Sequence, residues 1–151
     1  MNNFKRKLQK VQRLIRRPLS EKILLFEAAF WLPISRLLIE FIPMRRYMSL
    51  FLGKHMLESD KSPKTQIVPF LRKVAWATNA MSRRMPWKNK CFALAISAKM
   101  ILRFRGIEST LYLGLKKGGS DDLDAHAWLR CGDFSVTGGD GTGFTSVSNF
   151  T

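Results

Sequence analysis

Two side chains of this chain have the chemistry of a nucleophilic thiol and its base. Cys91 opens a helix-like run that ends at Arg105, and His126 begins a short strand-like stretch thirty-five residues after Cys91. The positive end of a helix dipole favours the thiolate of a cysteine, and a nearby imidazole can complete its activation. The alternative is that Cys91 is a small buried hydrophobic residue and His126 a structural histidine, because such pairs also occur by chance.

The composition limits the classes of protein to consider. The 151 residues fit one compact domain, and a hydrophobic content of 46% is enough for a core. Only two cysteines are present, Cys91 and Cys131, and no signal-peptide pattern opens the chain. We therefore expect a reducing cytoplasm, with a Cys91–Cys131 disulfide as the alternative. The scattered His and Cys residues and the absence of a phosphate-binding glycine loop predict no metal and no cofactor.

The charge is spread very unevenly along the chain. The formal net charge is +15, and residues 1–117 hold 25 of the 26 basic residues against 6 acids. Such a surface favours an acidic partner or an anionic lipid face, or simply keeps the protein soluble. We expect no binding to nucleic acid, because the basic block from Lys5 to Arg17 lacks interleaved aromatic residues and a reading element.

The N-terminal part of the chain is predicted to be helical. We expect a helix over Ser20–Ile42, with Ser20 as its N-cap and with a bend or an interruption at Pro33. A shorter helix over Met44–Leu52 and a polar linker over His55–Thr65 should follow. The side chains expected on the core face of the first helix are Ile23, Phe30, Ile34, Leu38 and Phe41. Glu27 lies within that face and needs a partner, because an unpaired buried carboxylate is costly. The charged residues argue against a membrane span, whereas peripheral membrane contact or docking of a partner helix stays open.

The C-terminal half is predicted to place a helix on a small antiparallel sheet. The expected helices and strands are Thr65–Arg84, Cys91–Arg105, Thr110–Leu115, Ala125–Cys131 and Phe134–Thr137. This order predicts an α+β fold. We divide the chain into a basic arm with a helical N-terminal subdomain, residues 1–62, and a core, residues 63–151.

Four blocks of sequence carry a resemblance to a known family. They are Pro86-Trp87 with Cys91 four residues after the tryptophan, Ile101–Ile107, Leu111–Gly114 and Ala125–Leu129. Their order and spacing resemble the C-terminal core of the lasso peptide biosynthesis B proteins, which are leader peptidases with a transglutaminase-like, papain-like cysteine protease core. The resemblance covers roughly residues 65–150. The segment Pro43–Arg46 also resembles the one that precedes this core in stand-alone members.

The resemblance implies a cysteine peptidase that removes the leader from a ribosomally synthesised lasso peptide precursor. The cut frees the amine that a separate cyclase joins to an acidic side chain. Cys91 would be the nucleophile and His126 the general base. The family's third catalytic residue is an aspartate at the spacing where this chain has Gly138, and the first acid beyond it is Asp140. Either Asp140 reaches the imidazole, or a carbonyl, a water or another residue orients it.

Two further expectations concern the surroundings of this pair. The backbone N–H of Cys91 is the natural donor to an oxyanion, and Asn89 or the Trp87 indole are candidates for a second donor. Packing and helix capping are the simpler roles for Trp87 and Asn89. Trp128 is expected in the core, on the strand face opposite His126.

The resemblance also implies partners and a location. The partners are the precursor leader, a small leader-recognition protein and the lasso cyclase. The expected location is the cytoplasm, and peripheral contact at the inner membrane face stays open. We expect the basic N-terminal half to dock the recognition protein or the leader. Two other functions stay open: a non-catalytic binding or scaffold protein with this fold, and an acyl-transfer enzyme that uses the same Cys–His pair.

Overall fold

The chain forms helices first and then an antiparallel sheet. The computed structural model describes residues 16–47, 65–87, 91–118 and 122–151. Its helices are α1 (Leu19–Phe41), α2 (Met44–Tyr47), α3 (Val68–Ser82, preceded by a 3-10 turn over Thr65–Ile67) and α4 (Cys91–Arg103). Its strands are β1 (Thr110–Lys117), β2 (Leu123–Cys131), β3 (Phe134–Thr137) and β4 (Thr145–Phe150). The predicted α+β fold is therefore confirmed.

The four strands form one sheet in the order β3-β2-β1-β4, with every neighbouring pair antiparallel. The central pair is β1 and β2, in which Thr110 lies opposite Arg130 and Gly114 lies opposite His126. In contrast, β3 pairs with β2 only from Leu129 onwards. The part of β2 that carries His126 therefore extends past the end of β3.

The helices cover one face of this sheet. Both α3 and α4 pack against β2 or β3, and α1 lies against α3 and α4. The sheet contributes Leu111, Ala127 and Leu129 to the core, where they are almost fully buried. Burial of each large aliphatic side chain stabilises the fold by roughly 1.5–3 kcal/mol. Because strand side chains alternate, Trp128, which lies between Ala127 and Leu129, faces away from the helices.

The first helix turns a different face inward from the one expected. Its buried side chains are Leu24, Ala28, Leu32 and Ser35, whereas Ile23, Phe30 and Phe41 are exposed. The expected core face is therefore wrong at those three positions. The small Ala28 and Ser35 permit close approach to α4, where the hydroxyls of Ser35 and Ser97 lie 3.1 Å apart. The helix also continues through Pro33, and Pro18 rather than Ser20 precedes its first turn.

Glu27 has the partner that its position required. Its two carboxylate oxygens accept from Nη2 of Arg105 at 3.0 and 2.8 Å. The pair joins α1 to the segment that follows α4. Two of the other predictions for this half, the extension of α2 to Leu52 and the linker with its boundary after residue 62, fall outside the described residues. The division into residues 1–62 and 63–151 stays a prediction.

The end of α4 has the geometry that its sequence predicts. Gly106 adopts the left-handed conformation with a φ of 66°. The N–H of Ile107 donates to the carbonyl of Leu102 at 3.0 Å, and that of Gly106 donates to Arg103 at 2.9 Å. These two hydrogen bonds define a Schellman motif, in which glycine is favoured because it has no Cβ.

A buried lysine ties α4 to the sheet. The Lys99 side chain is only 4% exposed, and its Nζ donates to the carbonyl of Ser109 and, at 3.3 Å, to that of Phe150. Burial and, to a smaller extent, the charge of the nearby Arg103 lower the pKa of Lys99 to about 8. The fold therefore disfavours the charged ammonium form of Lys99 relative to water.

This burial predicts an unusual dependence of stability on pH. Between pH 8 and the unfolded pKa of about 10.4, the unfolded chain binds more protons than the folded one, so the free energy of unfolding rises with pH. We expect a rise of up to about 3 kcal/mol from Lys99, and a Lys99→Met variant should lack it. Urea unfolding of both proteins across this range measures the difference. If the free energy of unfolding had the same pH slope in the two proteins, Lys99 would not be the cause of the rise.

Candidate active site

Cys91 is the first residue of α4 and the more accessible of the two thiols. It is half-buried and packs against the edge of the core. Cys131 is buried, and its Sγ donates to the carbonyl of Glu108 at 3.2 Å. Burial raises the pKa of the Cys131 thiol, and the charge of Glu108 raises it further. Both cysteines are free, so the alternative of a disulfide between them is wrong in this structure.

The imidazole of His126 is oriented by a backbone carbonyl. Its Nε2 lies 2.7 Å from the carbonyl oxygen of Gly138. A carbonyl oxygen can only accept, so Nε2 must carry the proton in this hydrogen bond. In the neutral ring Nδ1 then keeps its lone pair, and a nitrogen of this kind can remove a proton from a thiol.

Two aromatic rings lie against the imidazole. The ring centroid of His126 lies 6.0 Å from that of Trp128 and 4.9 Å from that of Phe144. Trp128 in turn stacks on Tyr112 at 5.4 Å, with the two planes 5° apart. The expectation that Trp128 lies opposite His126 is wrong, because residues two apart on a strand share a face. Its burial in the protein agrees with the expected packing role.

The backbone at Gly138 approaches β2 too closely for a side chain. Gly138 has a φ of 78°, and a Cβ at this position would lie 2.4 Å from the carbonyl oxygen of Ala127 and 2.8 Å from Cα of Trp128. An aspartate, the residue that the family has at this spacing, therefore does not fit this backbone. The same close approach brings the Gly138 carbonyl to the imidazole.

Asp140, the predicted third catalytic residue, has a different partner in this structure. Its exposed carboxylate accepts from the backbone N–H of Thr142 at 3.0 Å. Hydrogen bonds from the side chain and backbone of Thr142 lower the pKa of Asp140. The structure thus brings His126 together with the carbonyl of Gly138, two residues before this acid. A catalytic role for Asp140 stays a prediction.

Substitution of Asp140 distinguishes the two ways of orienting the histidine. We expect Asp140→Ala to change the rate of catalysis by less than about threefold, since the variant leaves the hydrogen bond between His126 and Gly138 in place. Loss of an aspartate that orients a catalytic histidine costs about 10⁴-fold in rate. Steady-state rates of wild type and variant decide the question, and a loss approaching that size would assign the role to Asp140.

The structure brings the elements of the predicted pair together, and the described residues show no hydrogen bond between the two side chains. The helix that begins at Cys91 packs against the strand that carries His126. Just before that helix, the indole N–H of Trp87 is buried and has no hydrogen-bond partner within the described ranges. The other candidate donor, Asn89, lies outside them. Catalytic hydrogen bonds are often long in a protein without substrate and shorten in the complex.

The described part of the chain has neither a metal-binding cluster nor a membrane-spanning helix. It contains no group of three or more His, Cys, Asp or Glu residues that could hold a metal ion. None of its helices is long and apolar enough to cross a membrane.

Comparison with known proteins identifies the family of the chain. The model of the transglutaminase-like superfamily matches residues 38–149, which include α4, the strand that carries His126 and the loop that begins with Gly138 after β3. Members of this superfamily are generally cysteine-protease-like enzymes or acyltransferases. No curated protein and no solved structure matches the chain. Because the family match extends over most of its length, this chain belongs to the transglutaminase-like superfamily.

Proposed function

We propose that this chain is a cysteine peptidase that removes the leader from a ribosomally synthesised lasso peptide precursor. The observation that carries the proposal is the hydrogen bond between Nε2 of His126 and the Gly138 carbonyl. It leaves Nδ1 as the basic nitrogen of an imidazole that two aromatic rings hold in place. The nature of the substrate comes from the resemblance of the four sequence blocks to the lasso peptide B proteins.

The position of Lys99 supports the placement of Cys91 near this imidazole. Nζ of Lys99 reaches Ser109, directly before β1, at the end of the sheet where Arg130 lies. Cys91 precedes Lys99 by about 12 Å along a helix axis, and His126 precedes Arg130 by about 13 Å along a strand. We propose that α4 runs along β2, so that its first residue lies level with His126 and the thiol reaches the imidazole at the edge of β2 that β3 leaves uncovered.

The proposed reaction divides peptide hydrolysis into two steps. Nδ1 of His126 removes the thiol proton, and Sγ of Cys91 attacks the carbonyl carbon at the end of the leader. The imidazolium then gives its proton to the departing amine of the core peptide as the C–N bond breaks, which leaves a thioester on Cys91. Water attacks the thioester, the imidazole removes its proton, and the thiolate leaves and is reprotonated.

We propose that the donors for the oxyanion of both steps are at the start of α4 and in the segment just before it. The backbone N–H of Cys91 belongs to the first turn of a helix, where amides have no acceptor within the helix. The buried indole N–H of Trp87 supports a second donor, because a buried donor without a partner is unusual. We propose that the Trp87 indole donates to the substrate carbonyl, in addition to packing.

The basic N-terminal half fits the proposed partners. Residues 1–117 hold 25 basic residues against 6 acids, so this half favours a partner whose docking surface is acidic. We propose that this half binds the leader-recognition protein or the leader, and that the lasso cyclase receives the released core peptide. Exchange of Arg45 and Arg46 for glutamate should weaken this association and its dependence on salt. An unchanged, salt-insensitive association would contradict this proposal.

The proposed function is tested with lasso precursor peptides and their leader-recognition protein. We expect the wild-type chain to give two products, a leader with a new carboxylate and a core peptide with a free amine. Their summed mass should exceed that of the precursor by one water. A leader attached to another amine, without addition of water, would show acyl transfer instead. Binding of precursors without turnover, and without a Cys91 thioester in the intact mass, would support a scaffold protein.

A further inference from the structure

The outward face of α1 carries an apolar stripe that no other described element covers. It consists of six large side chains at helical spacing, each 46% to 76% exposed: Leu19, Ile23, Phe26, Phe30, Leu37 and Phe41. Positions three, four and seven apart lie on one face of a helix, so these residues form a ridge along α1, with two turns between Phe30 and Leu37. Phe104 extends the ridge at one side, since it is 69% exposed and stacks on Trp31 of α1 at 5.5 Å.

The extent of this outer stripe marks it as a binding surface. The four phenylalanines alone expose roughly 500 Å², and the aliphatic side chains add to this. The largest apolar patch on a typical monomer covers about 300–600 Å² and is often functional. The opposite face of α1 already packs against α3 and α4. Stability of the fold therefore does not explain the apolar outer stripe.

The charges around the outer stripe are positive. All three acids of α1 are paired with arginines: Glu21 with Arg17 at 2.7 Å, Glu27 with Arg105 at 2.8 Å and Glu40 with Arg36 at 2.7 Å. Three cations at the two ends of the helix have no ion-pair partner within the described ranges: Arg16, Lys22 and Arg45. The surface that surrounds the stripe therefore has unbalanced positive charge.

We propose that the outer stripe of α1 docks on an anionic lipid surface. A convex ridge suits a soft interface, into which phenylalanine and leucine side chains insert while flanking cations contact lipid head groups. A second copy of this chain is disfavoured as the occupant, because each copy carries a net charge of +15. Apolar insertion and basic attraction together provide the two signals that stable peripheral binding needs. This proposal does not depend on the proposed peptidase activity.

Flotation with lipid vesicles tests the proposal on the full chain. We expect the protein to float with vesicles that contain phosphatidylglycerol. Its binding to vesicles of phosphatidylcholine alone should be weaker by about tenfold or more. Added salt should reduce the binding to anionic vesicles. A stripe variant, Phe26→Gln with Phe30→Gln and Phe41→Gln, should reduce it by about tenfold or more.

Two controls separate the stripe from general effects. Leu123→Gln with Val147→Gln removes two exposed apolar side chains of the sheet, and this variant should float like wild type. Arg16→Gln with Lys22→Gln and Arg45→Gln leaves the stripe intact, and this variant should bind anionic vesicles at least about tenfold more weakly than wild type. Because the changed side chains are mostly exposed, thermal unfolding should confirm that all variants fold.

The proposal fails if the wild-type chain does not float with anionic vesicles. It also fails if the stripe variant binds them as well as the wild-type chain does. A concentration-dependent dimer that the stripe substitutions abolish, in a protein that ignores vesicles, would assign the stripe to a second copy. Binding of an acidic protein partner through the stripe, again without flotation, would assign it to that partner.

Discussion

Replacement of Cys91 with alanine should lower the rate of leader cleavage by at least about 10⁴-fold. The nucleophile and the base act as a unit, so removal of the nucleophile alone costs about as much rate as removal of both. The variant cannot form the thioester, so the precursor should remain intact and bound. The fold should change little, since Cys91 is half-buried at the first residue of α4. Single-turnover cleavage, followed by mass spectrometry, measures the effect.

Cys131→Ala provides the matched control for this prediction. Cys131 is the other free thiol, and it packs in the core with its Sγ on the Glu108 carbonyl. Its loss should cost stability through a small cavity, while the cleavage rate stays within a few-fold of wild type. A Cys91→Ala variant that keeps substantial activity, or a Cys131→Ala variant that folds and has none, would refute the assignment of the nucleophile.

Gly138→Ala should be the most damaging substitution outside the reacting pair. The new Cβ would collide with the backbone of β2 at Ala127 and Trp128, so the Gly138 carbonyl must move away from His126. We expect a loss of roughly 10²–10⁴-fold in cleavage rate, the range that general acid–base catalysis contributes. Stability should also fall, because a residue with a Cβ is strained at positive φ.

Gly139→Ala separates strain from collision. Gly139 has a φ of 74°, close to that of Gly138, but a Cβ there meets no atom within 4 Å. This variant should lose roughly 1–2 kcal/mol of stability and keep most of its activity. Equal losses of activity in the two alanine variants would show that the Gly138 carbonyl has no special role.

The Gly138→Asp variant is informative for the same reason. It introduces the acid of the family at the expected spacing, yet the backbone has no space for it. We expect it to be at least as inactive as Gly138→Ala. A carbonyl fixes the orientation and the tautomer of the imidazole, but it adds no full negative charge beside the imidazolium. Gain of activity in this variant would show that the loop can rearrange to admit a carboxylate.

The sequence predicts best those parts of the fold whose signals are local. The end of α4 follows from Gly106 and the apolar residue after it. The strand β3 has the predicted bounds, and it follows the turn at Gly132 and Asp133. In contrast, Thr145–Phe150 was not predicted as a strand, because it is rich in Ser and Thr and has one buried apolar residue, Phe150. Pairing with β1 stabilises it, and pairing between distant segments leaves little trace in local composition.

The misassigned face of α1 has a related cause. The helix has apolar side chains on two opposite sides, so periodicity alone does not show which side meets the core. The structure buries the side with Ala28 and Ser35, which allow close contact with the neighbouring helices. The bulky side that seemed better suited to a core is exposed, and it is the surface that we assign to lipid.

The candidate site was only partly accessible from the sequence. Residue type and spacing singled out Cys91 and His126, but the hydrogen-bond partner of His126 is a backbone atom, which any residue supplies. From the sequence, Gly138 marks only the position where the family has an aspartate, whereas in the Gly-rich loop after β3 a glycine is required at this position by its contact with β2. Phe144 was missed because it lies in this loop, although its ring contacts the imidazole. The shared face of His126 and Trp128 could have been found from strand alternation alone.

The account depends on a chemical contact between the thiol of Cys91 and the imidazole of His126. The most direct test is the rate at which iodoacetamide alkylates Cys91 at neutral pH, with the labelled residue identified by peptide mapping. We predict labelling at Cys91 before Cys131, faster than for an ordinary cysteine, and a return to the ordinary rate in His126→Ala. Equal rates in wild type and His126→Ala, or preferential labelling of Cys131, would contradict the account.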